Sequence, residues 1–519
     1  MGTSALTRSL PSRREFLSRA ALVGIGSVAL PVVEAALGGW RSEASEVGVS
    51  RVREFRLETR EVSWELAPGK VVKAMAYNGQ VPGPEIRIKE GELVRVVLRN
   101  ALGEPTTVHW HGVDVPNAMD GVPGITQKPV PPGGTFVYEF EARPAGTRWY
   151  HTHFSDDHRQ LDLGLVAPLI IEPAGPEPFG FDREYTLVLD DWATGTGRPV
   201  PPTDEGTAGV RGDRGGMMGG MRGMMGGGVR GMMGGMMGRR GMGGMMGGGE
   251  EPAYDTMTIN GRAYPATEPL RVQAGERVRL RLINASAEHT HVMRLAGHRL
   301  SVTHTDGNPL VQPVEVDALP IAPSERYDVL VTARRPGAWF LYCAAPGHAA
   351  AGEQVLVVYE GRDGAKPEAP VEGAPGLSVW QYGLGRGRAV LPRPSPRERS
   401  FDLTLGGGMM GSEVWTINGK QYPNTDPLDA RKGDRVRVRL GNMSMEAHPM
   451  HLHGQSFKVL AVNGRRLDVP LVKDSVDVEA HMGAVDIEFT AHNPGDWFFH
   501  CHKPMHMDGG MIALARVSG

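Results

Sequence analysis

The chain has 519 residues, with 56 lysines and arginines against 59 aspartates and glutamates and a formal net charge of −3. That balance gives no reason to expect a nucleic acid or an anionic membrane as a partner. Two cysteines, Cys343 and Cys501, exclude a disulfide framework, while 71 glycines and 40 prolines suit a turn-rich β protein long enough for three domains.

The N-terminus reads Ser12-Arg13-Arg14-Glu15-Phe16-Leu17, followed by an apolar run from about residue 20 to residue 37. This is the pattern of a twin-arginine export signal over residues 1–36, with cleavage expected near Ala35 or Ala36. Gly24, Gly26, Pro31 and Glu34 make the run a poor membrane helix, and no later stretch is apolar enough to span a bilayer. The mature chain is therefore expected in the periplasm or outside the cell, as a monomer.

Beyond residue 50 the chain repeats one unit three times. Tyr77-Asn78-Gly79, Ile259-Asn260-Gly261 and Ile417-Asn418-Gly419 open the copies, and the Gly-acid pairs Gly91-Glu92, Gly275-Glu276 and Gly433-Asp434 follow. Then come alternating segments beginning at Leu93, Arg277 and Arg435, whose period of two signals strands with one buried face. Each copy ends near a Trp-aromatic pair: Trp149-Tyr150, Trp339-Phe340 and Trp497-Phe498. The reading is all-β, with domains at 50–173, 182–360 and 377–519. Residues 215–249 are almost only glycine, methionine and arginine, too glycine-rich for a packed element, and are expected to form an insertion in the second domain.

Four histidine clusters carry the chemistry: His109-Trp110-His111, His151-Thr152-His153, His448-Pro449-Met450-His451-Leu452-His453 and His500-Cys501-His502, with His506 and Met511 beyond the last. Thiolate, imidazole and a weak thioether are the ligand set of an electron-transfer copper. Strand alternation puts both rings of a His-x-His pair on one face, and turns His500 and His502 away from Cys501 toward a different metal. A lone His-x-His is more often a core pair or part of an unrelated zinc site; four such clusters in this order are far more specific.

With these motifs the chain resembles the multicopper oxidases of the three-domain laccase and copper-resistance type, from about residue 50 to the end. The resemblance implies three cupredoxin-like Greek-key barrels and four copper ions. His448, Cys501 and His506 would hold the type 1 copper, with Met511 as long axial ligand. His109 and His451 would hold the type 2 copper. His111, His153 and His502 would hold one type 3 copper, and His151, His453 and His500 the other. Electrons would run from Cys501 to His500 and His502, and dioxygen would become water among three coppers between the first and third domains. The reductant would be Cu(I), or phenols and aromatic amines. Asp120 resembles the family acid that helps proton delivery; its other reading is a turn aspartate before Gly121. The carboxylate many relatives carry directly after the second type 1 histidine is replaced by Met507, with Asp508 next.

The second copy holds a shadow of the type 1 set in His291, Cys343 and His348, with Glu353 at the position of Met511. Tyr342, Ala344, Arg294 and Ala296 stand where the flanking histidines would be. A relic, and a second mononuclear copper site or Cys/His metal store that cannot feed the cluster directly, are both open readings. The methionines of 215–249 suit capture of cuprous ion, since thioethers prefer Cu(I), or else serve as oxidation targets in a linker. The alternative to an oxidase is a copper-binding or sequestration protein without turnover, although storage needs no such ordered ligand set.

Overall fold

The computed structural model describes residues 52–154, 159–201, 253–373, 397–408 and 412–519. The expected export signal, residues 1–36, and the methionine-rich segment 215–249 lie outside them. Three pairs of β-sheets follow one another along the chain, as the all-β reading expected. In the first copy a four-stranded sheet has the order Lys70–Tyr77, Arg53–Ala67, Leu93–Asn100, Thr135–Glu141. Its mate has the order Ile86–Lys89, Val166–Glu172, Gly146–His151, His109–His111. The second and third copies each pair a six-stranded with a five-stranded sheet.

One topological feature recurs. The first strand of each copy runs parallel to the alternating strand, in the pairs Arg53↔Val94, Arg183↔Val278 and Glu398↔Arg435. Alternation predicts which face is buried. Val94, Val96 and Leu98, and likewise Val436, Val438 and Leu440, point inward between less buried neighbours such as Arg95, Val97 and Arg437. The middle copy departs from this. Arg279 and Arg281 are 4% and 2% exposed, because ion pairs cover them: Arg279 pairs with Glu177 and Glu184 at 2.8 Å each, and Arg281 pairs with Glu184 and Asp328 at 3.0 Å each and donates to Thr147 Oγ1 of the first domain at 2.6 Å. One apolar cluster runs through all three copies and includes Val96, Leu280 and Val438. Among the described residues no helix is long and apolar enough to cross a membrane.

Candidate metal centre

The strand Gly495–Cys501 lies antiparallel to His448–Leu452, with Cys501 opposite Met450 and His500 opposite His451. Alternation then separates two sets of donors. On one side, Cys501 Sγ lies 3.4 Å from His506 Nδ1 and 3.7 Å from His448 Nδ1, and the two ring nitrogens are 3.0 Å apart. All three residues are buried. His448 Nε2 meets Ser444 Oγ at 2.8 Å, and His506 Nε2 meets Glu446 Oε2 at 3.1 Å, so in each ring Nδ1 is the atom left for the shared space. The short helix Pro504–Asp508 carries His506 and turns the chain back to the buried Met511. There the Met511 amide donates to the His506 carbonyl at 3.0 Å, and the Met511 carbonyl accepts from the Cys501 amide at 3.1 Å. Burial holds the His448 and His506 rings well below the usual imidazole range and pushes the Cys501 thiol well up. Neutral rings with a thiol that ionises only against a cation are what a soft metal site requires.

On the other side eight histidines converge. Their ligand nitrogens form the groups His109, His111, His451; His111, His151, His502; and His153, His453, His500. His109, His151, His451 and His500 each direct Nδ1–H to a backbone carbonyl, those of Asp120, Thr152, Asp474 and Cys501, at 2.6–2.8 Å. Such a bond fixes the tautomer and leaves Nε2 as a lone-pair donor. His453 instead directs Nδ1 to the Asp120 carboxylate at 2.9 Å, and its Nε2 comes to 3.0 Å from His500 Nε2. His111 is turned round: Nε2 lies 3.1 Å from Asp474 Oδ1, so Nδ1 is its inward atom. Among the described residues the buried nitrogens His109 Nε2, His111 Nδ1, His151 Nε2, His153 Nε2 and His451 Nε2, and both of His502, have no hydrogen-bond partner. Orphaned acceptors are costly in a protein interior, and converging lone pairs repel. Cations resolve both, so this donor set fits bound metal.

The grouping exchanges His151 and His153 relative to the trios expected from sequence. His151 closes its strand stacked on Trp149, at 4.3 Å between ring centroids, and faces His502 at 5.1 Å. His153 lies past the strand end and faces His453 and His500 at 4.9 and 5.2 Å. Asp120 stands in the turn before Gly121, and its buried carboxylate also contacts His453 and His109, the latter at 3.3 Å. Sequence reasoning missed Asp474, Ser444 and Glu446. Ser444 and Glu446 sit four and two residues before His448, a spacing that could have drawn attention to them.

A cleft of about 720 Å³ reaches this cluster, lined by Val122 and His153 from the first copy and by Tyr422, Phe498, Met507 and Asp508 from the third. Met507 and Asp508, directly after His506, thus line the cleft.

Three models of the multicopper oxidase family match residues 58–176, 236–361 and 394–518. Multicopper oxidase MmcO of Mycobacterium tuberculosis is 34% identical over 465 residues, covering 85% of this chain and 83% of its own. Copper resistance protein A of Escherichia coli is 26% identical over 619 residues, covering 98% and 99%. The crystal structure of a multi-copper oxidase from Pseudomonas thermotolerans aligns with a TM-score of 0.65 at 28% identity, over 90% of this chain and all of that one. A repeated β fold with buried histidine and cysteine groups defines a copper-dependent oxidoreductase. The chain belongs to the multicopper oxidase family.

Proposed function

We propose that the chain is an exported, monomeric oxidase that takes electrons from Cu(I), with phenols and aromatic amines as further reductants, and reduces dioxygen to water. His448, Cys501, His506 and Met511 hold one copper; His109 and His451 hold a second; His111, His151 and His502, and His153, His453 and His500, hold the remaining pair. Copper in these positions supplies one-electron oxidation of the reductant and four-electron reduction of dioxygen. One observation carries the reading: consecutive residues at the end of one strand serve both donor sets, Cys501 on one side and His500 and, just past the strand end, His502 on the other. Cys501 joins the sets covalently, and a second short path runs from its carbonyl to His500 Nδ1–H at 2.8 Å. Asp120, hydrogen-bonded to His453, is placed to hold a proton beside the cluster, and the cleft by His153 admits water and dioxygen. Membership of an oxidase family favours turnover over sequestration.

Cu(I) is favoured as reductant by the surface over the thiolate site. Met443, Met445 and Met482 are 61%, 69% and 70% exposed, and the Met482 amide donates to the Asn442 carbonyl, which brings them to one edge. Between Met443 and Met445 lies Ser444, bonded to His448; next comes Glu446, bonded to His506 and partly open to solvent. Soft thioethers and a carboxylate at the rim suit a cuprous ion. The twin-arginine pattern and the methionines of 215–249 are part of the same proposal, as export to an oxidising compartment and cuprous capture. The test is Cys501→Ser. The thiolate-to-copper visible band and oxygen uptake on adding Cu(I) should both vanish; retained oxygen uptake would refute the scheme.

A further inference from the structure

The middle copy contains a second set of metal donors that the oxidase chemistry does not use. His291, Cys343, His348 and Glu353 bring one ligand atom each within 4.8 Å of one another, and all four are buried. Glu353 Oε2 lies 2.7 Å from His291 Nδ1 and 3.1 Å from His348 Nδ1, and Cys343 Sγ lies 3.3 Å from His348 Nδ1. Glu353 Oε1 is buried with no hydrogen-bond partner.

This is more than a residue-type coincidence, because the supporting backbone repeats that of the third copy. The Cys343 amide donates to the Glu353 carbonyl at 3.1 Å, as the Cys501 amide does to that of Met511. The Glu353 amide donates to the His348 carbonyl at 3.1 Å, as that of Met511 does to His506 at 3.0 Å. Ser286 Oγ meets His291 Nε2 at 2.6 Å, as Ser444 meets His448, so Nδ1 is again the inward atom. The Val292 amide donates to Cys343 Sγ at 3.1 Å, a bond that favours the thiolate.

The difference lies in the fourth donor and in the surroundings. A carboxylate replaces the thioether, and it sits among the other donors. Two anionic and two neutral donors balance a doubly charged cation, and four strong donors leave no open position. Where the third copy has His451, His453, His500 and His502, this copy has Arg294, Ala296, Tyr342 and Ala344, which offer no onward ligand. We propose that His291, Cys343, His348 and Glu353 form a closed fifth metal site for a divalent cation of the zinc and copper(II) type, held for structure and apart from electron transfer. As the metal–sulfur bond forms, the thiol proton leaves to solvent.

The test is metal content by mass spectrometry on the copper-loaded full chain, after incubation with excess zinc(II) and copper(II) and gel filtration. Wild type should carry five ions per chain, with the identity of the fifth separating zinc from copper(II). Cys343→Ser and Glu353→Gln should each lose one ion, keeping the visible band of the Cys501 site and oxygen uptake. Four ions in wild type overturns the proposal without recourse to variants. Five ions with no loss in either folded variant also overturns it, and places the extra ion elsewhere, as on the methionines of 215–249.

Discussion

Burial holds most of the cluster rings neutral, and six of the eight, His109, His111, His151, His451, His453 and His500, are aimed by a bond on the far nitrogen. The rings of His151, His153, His451, His453 and His502 sit well below the usual imidazole range, and that of His500 is lowered to about 4, in each case by burial first. In the unfolded chain the same rings take up protons near pH 6.5, so below that value the unfolded state binds more protons than the folded one. Stability of copper-free protein is therefore fully present above about pH 6.5 and is lost as pH falls toward the folded values, by about 1.4 kcal/mol per pH unit for each ring inside its window. Urea unfolding of copper-free protein at pH 7.5 and pH 5.5 should show a midpoint that drops steeply on acidification. A flat profile would mean that the rings are open to solvent without metal. At the entry side, Met443→Leu, Met445→Leu and Met482→Leu combined should raise KM for Cu(I) roughly tenfold while leaving dye oxidation near wild type, since uniform binding of the soft ion is what they remove. Equal loss on both reductants would point to damage at His448 instead.

Strands and turns repeat with enough fidelity to be tested copy against copy. Asn78, Asn260 and Asn418 all have φ 53° and each accepts a backbone amide of the first strand at 2.7 Å, those of Glu58, Val188 and Thr404. Buried Asn100, Asn284 and Asn442 close the loop after the alternating strand in the same manner, each donating to two or more carbonyls. Gly454, with φ 70°, lies where an added Cβ would come within 2.4 Å of the Trp497 ring, and Gly297 has the same relation to Trp339 at 2.7 Å. Gly454→Ala should cost about 2 kcal/mol or more, from left-handed strain of about 1–2 kcal/mol plus the clash, and should weaken the visible band, because Trp497 lies on the strand of Cys501. Gly297→Ala should lower thermal stability comparably and spare the band; a band lost equally in both would show that the copies do not act separately. The repeats, the alternating strands and the histidine and cysteine positions that converge in the fold were legible because periodicity and the His-x-His pattern are local. The division of His151 and His153 between trios was not, since it depends on where a strand ends. Nor was the burial of Arg279 and Arg281, which depends on carboxylates brought by other segments, Glu177, Glu184 and Asp328. Asp474 escaped notice because nothing beside it in Lys473-Asp474-Ser475 marks it as more than an acid in a strand turn.

Across the whole chain, that aspartate is the point at which three repeats meet. Arg326 of the second copy grips both Asp474 oxygens at 2.6 Å, and Arg148 of the first reaches one of them at 3.4 Å. All three are buried, and burial beside Arg326 lowers Arg148 to about 10. Lys473 extends the network to Asp306 and Glu325 at 3.2 and 3.0 Å, and Asp306 in turn accepts the amides of Asp474 and Ser475 at 3.1 Å. The same carboxylate fixes His111 through Nε2, and the Asp474 carbonyl fixes His451, so the clamp that docks the repeats also aims one ligand from each side of their junction. The thiolate site, by contrast, is built wholly from the third copy. Asp474→Asn should therefore separate the two. Leaving two buried guanidinium groups short of one charge should cost about 3–5 kcal/mol. Because the pairs are shielded from solvent, that loss should be nearly the same at low and high salt. Copper should be lost from the histidine cluster while the visible band of Cys501 persists, so metal analysis would fall short of wild type with the colour unchanged. If the variant kept its full copper and its melting temperature, or lost colour together with copper, the junction would not be organised around Asp474.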